Sequence, residues 1–456
     1  VKINYEIVLR LLSDIPEEEW QEKAFLLATH LNQARPLLHH PDHLRALIQV
    51  NLLAGRRAKS ANAYAQAIQF LEIGLAEHTR LGQHSENLEF SFLCELLETY
   101  YLDGQFDQGE HCVAKLRALS LNRAQQRQAL QLEIRLHKAK IDFPAAIRTG
   151  IEALNLLGVK LPQNPGQFDI LRSFMSTQLG LRKKSPEHIL KQAKIQDVDK
   201  LAALQIMSEL GLAAYQSKQN LLPVMTLKAV QLAATFGNSE YSPADYNVYG
   251  FILSQMGNFK SMQAYALMSL QLVDQVEIST SMRAKHLMTY NGLTRHWYEH
   301  PTKTLSSLLH GHQLGRASGD LDVVVTSLLL YYDTALLTGQ NLEELAEFVR
   351  EGQRLCQQLG QKLGDQYFNW SIKYVDTLLS ASTHFDFNFE EETEAFVSTN
   401  DSNGLCKLAI LSSFHHYLCG RYEEGIAMLQ KLQRFPLSLK GLQISAWLPF
   451  FQGLLA

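Results

Sequence analysis

His296-Trp297-Tyr298-Glu299-His300 is the stretch of this sequence whose residue types and spacing come nearest to a catalytic site. His-x-x-Glu-His on a helix sets two imidazoles one turn apart on one face, where they hold zinc beside a glutamate base. Pro301 follows at once and ends a helix, and no third ligand stands at a recognisable spacing. The plainer reading is the end of an ordinary helix, with a metal-dependent hydrolase as the remote alternative. His310-Gly311-His312 and His415-His416 point their side chains to different helix faces, so they read as solvated or core histidines. Arg182-Lys183-Lys184 offers charge for a phosphate or an acidic partner, although a solvated loop is the simpler account. Glu390-Glu391-Glu392 reads as a solvent-facing helix start.

Phosphate chemistry needs Gly-x-x-x-x-Gly-Lys-Ser/Thr, and no such run occurs. Gly-x-Ser-x-Gly and the His-Arg-Asp and Asp-Phe-Gly kinase signatures are missing as well. No catalytic, cofactor-binding or metal-ligating residue is therefore assigned, and the chain is read as a non-enzyme.

Bulk properties narrow the remaining classes. At about 150 residues per domain, 456 residues allow roughly three domains. Hydrophobic residues make up 46% and charged residues 19%, enough apolar material for a large core. Lys plus Arg is 42 against 46 Asp plus Glu, and a net charge of -4 argues against a generally basic nucleic-acid surface. The apolar runs Val323–Tyr332 and Ala446–Ala456 are too short or interrupted for a membrane span. Cys94, Cys112, Cys356, Cys406 and Cys419 form no CxxC pair, so a disulfide framework or zinc site is not suggested and a reduced, cytoplasmic compartment is expected. The start lacks signal-peptide grammar and an initiator Met, and helical pattern runs into both ends, as in a piece of a longer polypeptide.

Apolar residues recur every three or four positions nearly throughout, which predicts helix. Ser242-Pro243, Asp142-Phe143-Pro144, His300-Pro301 and Ile15-Pro16-Glu17-Glu18-Glu19 read as helix starts. One motif repeats. A large residue precedes a glycine turn, an aromatic follows two residues later, and small residues follow on a second helix. Copies are Tyr100–Phe106 with Gly109, Leu253–Phe259 with Met262 and Ala266, and Tyr417–Tyr422 with Gly425; Leu336–Leu342 is a weaker one. Glycine is read as the turn, the aromatic as a plug between hairpins, and the small residue as the point of close helix approach. Gly257 and Gly339 stand 82 residues apart, and Gly339 and Gly420 stand 81 apart. Each interval fits two units of about 41, longer than the 34 of the standard tetratricopeptide (TPR) unit.

The fold is thus read as all-α, a right-handed α-solenoid of about nine TPR-like helical hairpins interrupted by one insertion. Less regular units pass through His296–Pro301 and through residues 380–389. Residues 1–43 form two preceding helices. TPR-like repeats occupy 44–157 and 199–456, the latter truncated at its end, and 158–198 is an insertion with a Pro/Gly-rich opening, a short helix and a basic loop.

In such a hairpin the first helix lines the concave face. Residues one or two turns before each turn are then the candidates for binding a partner: Arg56 and Lys59, Glu98 and Tyr101, Asn247, Phe251 and Gln255, His296 and Trp297, Asp333, and Phe414 with Tyr417. Aromatics mixed with both signs of charge suit a protein or peptide rather than a phosphate backbone. About half of these aromatics are expected to pack between hairpins instead.

A family resemblance rests on several segments. They are Leu53–Tyr64, Leu156–Pro162, Asp199–Leu210, Tyr249-Gly250 with Gly257, Thr294–Trp297 and Ala317–Leu321. Their order and spacing, from about residue 6 to the end, resemble the helical-repeat region of large bacterial signalling proteins. Those proteins combine a Ser/Thr kinase-like domain, an AAA-type signal-transducing ATPase, and a GAF and histidine-kinase output. The resemblance implies that residues 1–43 are the tail of the ATPase module. It implies a non-catalytic sensor or scaffold that binds a protein, peptide or intramolecular domain and regulates the neighbouring ATPase or kinase. ATP and Mg would belong to other domains of the parent, and no cofactor is expected in this portion. A constitutive spacer or oligomerisation arm is the alternative.

Overall fold

The structure is a computed structural model that describes residues 1–82, 85–217, 220–380, 402–431 and 442–455. The chain divides into two compact units, Val1–Lys160 and Leu161–Ala456. The described residues are helical with one isolated bridge, Lys194 to Asn238. Consecutive helices pack in pairs, so each unit is a stack of helical hairpins of the TPR-like kind.

The first unit holds α1 (Lys2–Asp14), α2 (Ala24–Ala34), α3 (Pro41–Ser60), α4 (Tyr64–Leu81), α5 (Glu86–Leu102), α6 (Phe106–Ala118), α7 (Arg123–Ala139) and α8 (Phe143–Leu156). They pair as α1–α2, α3–α4, α5–α6 and α7–α8, and α3, α5 and α7 also touch one another side by side. One core runs from Val8 and Leu27 through Leu47, Leu71 and Leu97 to Leu136, so residues 1–43 share their burial with the repeats. Between α2 and α3, Asn32 and Asn51 exchange amide hydrogen bonds of 2.9 and 2.8 Å; Asn51 is fully buried and is satisfied by that exchange.

The second unit holds α9 (Gln167–Leu181), α10 (Pro186–Leu190), α11 (Val198–Glu209), α12 (Gly211–Ser217), α13 (Leu221–Phe236), α14 (Ser242–Gln255), α15 (Phe259–Gln275), α16 (Thr280–Thr289), α17 (Leu305–Ser318), α18 (Leu321–Leu337), α19 (Leu342–Gln358), α20 (Lys362–Leu379), α21 (Ser402–Leu418), α22 (Tyr422–Lys431) and α23 (Trp447–Leu455). Here α9 pairs with α13 across the short α10–α12, and then α14–α15, α16–α17, α19–α20 and α21–α22 follow as pairs, with α18 packed on α17. The irregular unit expected at 380–389 and the run Glu390-Glu391-Glu392 lie largely or wholly outside the described residues.

Turn glycines do what their positions demand. Gly104, Gly257, Gly339 and Gly420 have φ of 76°, 77°, 69° and 71°, the left-handed region where glycine carries no Cβ penalty. A Cβ on Gly109 would stand 2.9 Å from Leu136 Cδ1, so a small residue is needed where α6 crosses α7.

Three local expectations are corrected. The aromatic after the turn is only a partial plug: Phe106 packs against the core of the first unit, but Phe259 and Tyr422 are 45% and 51% exposed. Ile15-Pro16-Glu17-Glu18-Glu19 makes a single 3-10 turn, Glu17–Glu19, and the helix begins at Ala24. Ser242 is already inside α14, and its Oγ accepts the Ser239 backbone N–H instead of capping its own helix.

Candidate functional site

In the first unit α3, α5 and α7 are the first helices of successive hairpins, and their neighbouring faces bring Arg56, Lys59, Glu98 and Tyr101 into one polar cluster. Arg56 Nε lies 2.7 Å from Glu95 Oε1, and Lys59 Nζ lies 2.5 Å from Glu95 Oε2 while also pairing with Glu98. Tyr101 OH donates to Glu98 Oε1 at 3.5 Å, and Arg135 from α7 approaches the same oxygen at 4.0 Å. Burial opposes the charge on Lys59, but its hydrogen bonds to Glu95 and Glu98 outweigh that and hold the ammonium above its ordinary range. Beside them the Cys94 thiol is pushed up to about 12 by burial and by both carboxylates, so it is no nucleophile.

Glu95 and Arg135 were not among the residues picked from sequence. Glu95 could have been, since it stands three residues before Glu98 on the same helix face.

The candidates in the second unit are more dispersed. Asn247 on α14 is fully buried; its Oδ1 accepts from Thr294 Oγ1 at 2.7 Å, and its Nδ2 has no partner. Phe251 and Gln255 follow on the same helix and are partly exposed. His296 and Trp297 are not on a regular first helix. After α16 the chain makes a π-turn at Tyr290–Thr294 and then a 3-10 turn at Arg295–Trp297. Trp297 is 39% exposed, with its ring 5.4 Å from that of His296.

Asp333 on α18 pairs with Lys407 of α21, whose ammonium lies 4.9 Å from the Tyr332 ring and 5.7 Å from the Tyr367 ring. Burial raises the Asp333 carboxyl pKa, and Lys407 pulls it partly back. Phe414 and Tyr417 lie under α23: Phe414 meets Trp447 edge-on at 4.9 Å and Phe451 at 5.0 Å, and Tyr417 lies 6.0 Å from Phe451.

The same backbone break decides the His-x-x-Glu-His stretch. His296 lies in the middle of the 3-10 turn, and His300 caps the next one, its Nδ1 accepting the Thr302 N–H at 3.4 Å. The two imidazoles therefore do not share a helix face. Glu299 is bonded by Arg295 at 3.1 Å with Lys303 at 3.5 Å, and the Arg295 hydrogen bond holds its carboxyl below the usual range. A carboxylate so held is a poor general base. Among the described residues no group of three His, Cys, Asp or Glu side chains converges on a metal position.

A cavity of about 450 Å³ opens between α6, α7 and α8, walled by Leu116, Leu130 and Leu156. Arg117 lines it, but Glu133 binds that guanidinium twice, at 2.9 and 3.0 Å, and Glu152 binds it at 3.0 and 3.2 Å. Little donor capacity remains for an anion there.

No family model and no curated protein matches the chain. Among solved structures, a Rap protein complexed with competence and sporulation factor is similar at 11% identity, covering 73% of this chain and 99% of that one, with a TM-score of 0.24. A circular tandem repeat protein with novel repeat topology is similar at 12% identity over 99% and 97% of the two chains, with a TM-score of 0.16. Likenesses this slight say nothing about function, and the fold stands on the helix pairing itself.

Proposed function

We propose that this chain is a non-catalytic scaffold that binds a protein or peptide partner along the first-helix face of its hairpins. The observation that carries the reading is the Arg56–Lys59–Glu95–Glu98–Tyr101–Arg135 cluster. It spans three successive first helices and presents both signs of charge together with an aromatic hydroxyl. Side chains of Lys59 and Glu98 are 18% and 29% exposed, so the cluster is anchored yet reachable. A partner with its own acid and base can exchange pairs with it, which favours specificity over raw affinity. In the parent protein, of the signalling type that the sequence resembles, the partner is a peptide, another protein or a neighbouring domain, and binding biases ATPase or kinase output. ATP and Mg are then used by those other domains.

A constitutive spacer is the competing reading, and Asp333, Phe414 and Tyr417 favour it for the second unit, since their contacts are spent inside the stack. One experiment separates the two. The parent polypeptide carrying Lys59→Glu and Glu98→Lys together is compared with the unaltered parent for ATPase or kinase output. Changed regulation at an unchanged melting temperature supports the scaffold, and unchanged regulation supports the spacer. Reading the flanking frame tests the context: an upstream Gly-x-x-x-x-Gly-Lys-Ser/Thr run supports it, and a stop codon just after Ala456 counts against it.

A further inference from the structure

Helix α9 carries an apolar ridge that the fold leaves uncovered. Phe168, Leu171, Met175 and Leu179 are 75%, 52%, 57% and 69% exposed. They recur at three- and four-residue steps, so they line one side of the helix over about 16 Å at 1.5 Å per residue. The opposite side of α9 is fixed to α13 by specific bonds. Thr177 Oγ1 lies 3.3 Å from Leu227 O and accepts from Gln231 Nε2 at 2.9 Å on that side, while on the ridge's flank Gln178 Nε2 donates to Tyr249 OH at 2.7 Å. Leu181 is buried on that side, with Phe174 packed beside it.

Charge next to the ridge is also unspent. Arg172, Arg182 and Lys183 are exposed and form no ion pair with a described residue, whereas Arg117, Arg295 and Arg350 are all paired. Asp169 is the single acid of α9, and it is occupied by the Gly166 backbone N–H at 2.8 Å. Arg172 and Lys183 fall on one flank of the ridge and Arg182 at its C-terminal end. This basic flank disfavours a second copy of the same helix, since like charges would meet.

We propose that α9 docks an acidic amphipathic helix of a partner protein, its apolar seam on Phe168, Leu171, Met175 and Leu179 and its carboxylates on Arg172, Arg182 and Lys183. The ridge covers only about 80° of the helix circumference at 100° per residue, a seam for one helix and narrower than the face a membrane-surface helix buries. A contact of four side chains is small, so the complex is transient, with a dissociation constant in the micromolar range or weaker, roughly 10⁻⁶ to 10⁻⁴ M. The ridge belongs to the second unit and the Lys59 cluster to the first, and neither proposal is argued from the other.

The test titrates the full chain with two synthetic three-turn helices that share a leucine seam, one flanked by glutamate and one by lysine. The glutamate peptide is expected to bind about ten-fold tighter, with the gap closing at high salt. Leu171→Gln with Leu179→Gln is expected to weaken both peptides about ten-fold, and Arg172→Glu with Arg182→Glu and Lys183→Glu to reverse the preference. All five positions are exposed, and matched melting temperatures certify the fold. Equal binding of the two peptides, or no binding of either, overturns the proposal. So does binding to phosphatidylglycerol vesicles without a peptide preference, and so does a dimer of the unaltered chain that Leu171→Glu dissolves.

Discussion

Trp297 lies against Phe259 with ring centroids 5.0 Å apart and planes inclined at 44°. The aromatic that opens the second helix of one hairpin is thus covered by a ring from the turn region of the next. Both rings keep an open side, at 39% and 45% exposure.

That half-open stack sets the outcome for Trp297→Ala. A fully buried Trp costs about 3–5 kcal/mol on truncation, and a side chain this exposed should cost about half as much, roughly 2 kcal/mol. If Trp297 also anchors a partner, affinity falls by about 2 kcal/mol or more on top of that. Thermal unfolding and partner affinity measured on the same variant separate the two effects. A fall in melting temperature with unchanged affinity retires Trp297 as a recognition residue.

Two hairpin turns lack the glycine of the repeat motif. Asn62 and Ile141 take φ of 59° and 61° at those turns. A β-branched residue held there carries strain of about 1–2 kcal/mol. Ile141 is 41% exposed, so little packing is lost with it. Ile141→Gly is therefore expected to leave stability unchanged or raise it by up to about 1 kcal/mol, while Gly257→Ala at φ 77° lowers it by about 1–2 kcal/mol. Chemical denaturation midpoints check both.

These turns also show where the sequence was legible. Helix content and hairpin pairing were readable because each needs a period or a glycine. Turns at Asn62 and Ile141 hid two hairpins from the glycine pattern, since tertiary packing enforced the same φ on other residues. The candidate residues were readable only as a register. The structure brings Arg56, Lys59, Glu98 and Tyr101 of that register together, because regular helices α3 and α5 carry them in phase. The register misplaced His296 and Trp297 on a first helix, since the π-turn at Tyr290–Thr294 shifts the phase and no composition signal marks it. Whether a first-helix residue faces solvent or the next hairpin, as with Phe414 under Trp447, depends on a contact supplied from elsewhere in the chain.

Two buried groups make stability depend on pH in opposite directions. His286 on α16 is 1% exposed, its Nε2 lies 3.0 Å from Ser269 Oγ, and burial, reinforced by Arg283, pushes its pKa down to about 4. Its folded value lies below the unfolded one, so the neutral ring's contribution is present above about pH 6.5 and is lost as pH falls through 4, about 3 kcal/mol in all. Asp245 on α14 is raised to about 7 by burial, against the pull of Lys285, and its Oδ2 has no partner. Its contribution is present below about pH 4 and is lost as pH rises through 7. Urea midpoints across that range should show His286→Gln flattening the acid limb. Asp245→Asn should gain on the unaltered chain above neutrality.

Gly352 on α19 sits where a Cβ would stand 2.6 Å from Phe368 Cζ on α20. The Phe368 ring is fully buried and has no room to retreat. Gly352→Ala should therefore cost about 1–3 kcal/mol through overpacking, despite alanine's better helix propensity. Adding Phe368→Leu should recover part of that loss, because the two substitutions share one contact. A double-mutant cycle with no coupling would refute the account.

Lys407 gives the sharpest separation of structure from recognition. Its side chain is only 8% exposed, it pairs with Asp333, and its ammonium rests beside the Tyr332 and Tyr367 rings. Removing one member of such a pair leaves an uncompensated buried charge, so Lys407→Met alone should cost about 3–5 kcal/mol. The apolar stem of methionine keeps the packing against both rings, so loss of charge rather than a cavity dominates that cost. Replacing both members, Lys407→Met with Asp333→Leu, should return stability to within about 1 kcal/mol of the unaltered chain, since desolvating the pair offsets most of its attraction. Partner binding of the double variant then decides the role of Asp333. If it belongs to the binding surface, the stable double variant loses affinity. If it only closes the contact between α18 and α21, affinity stays and the spacer reading gains for this part of the second unit.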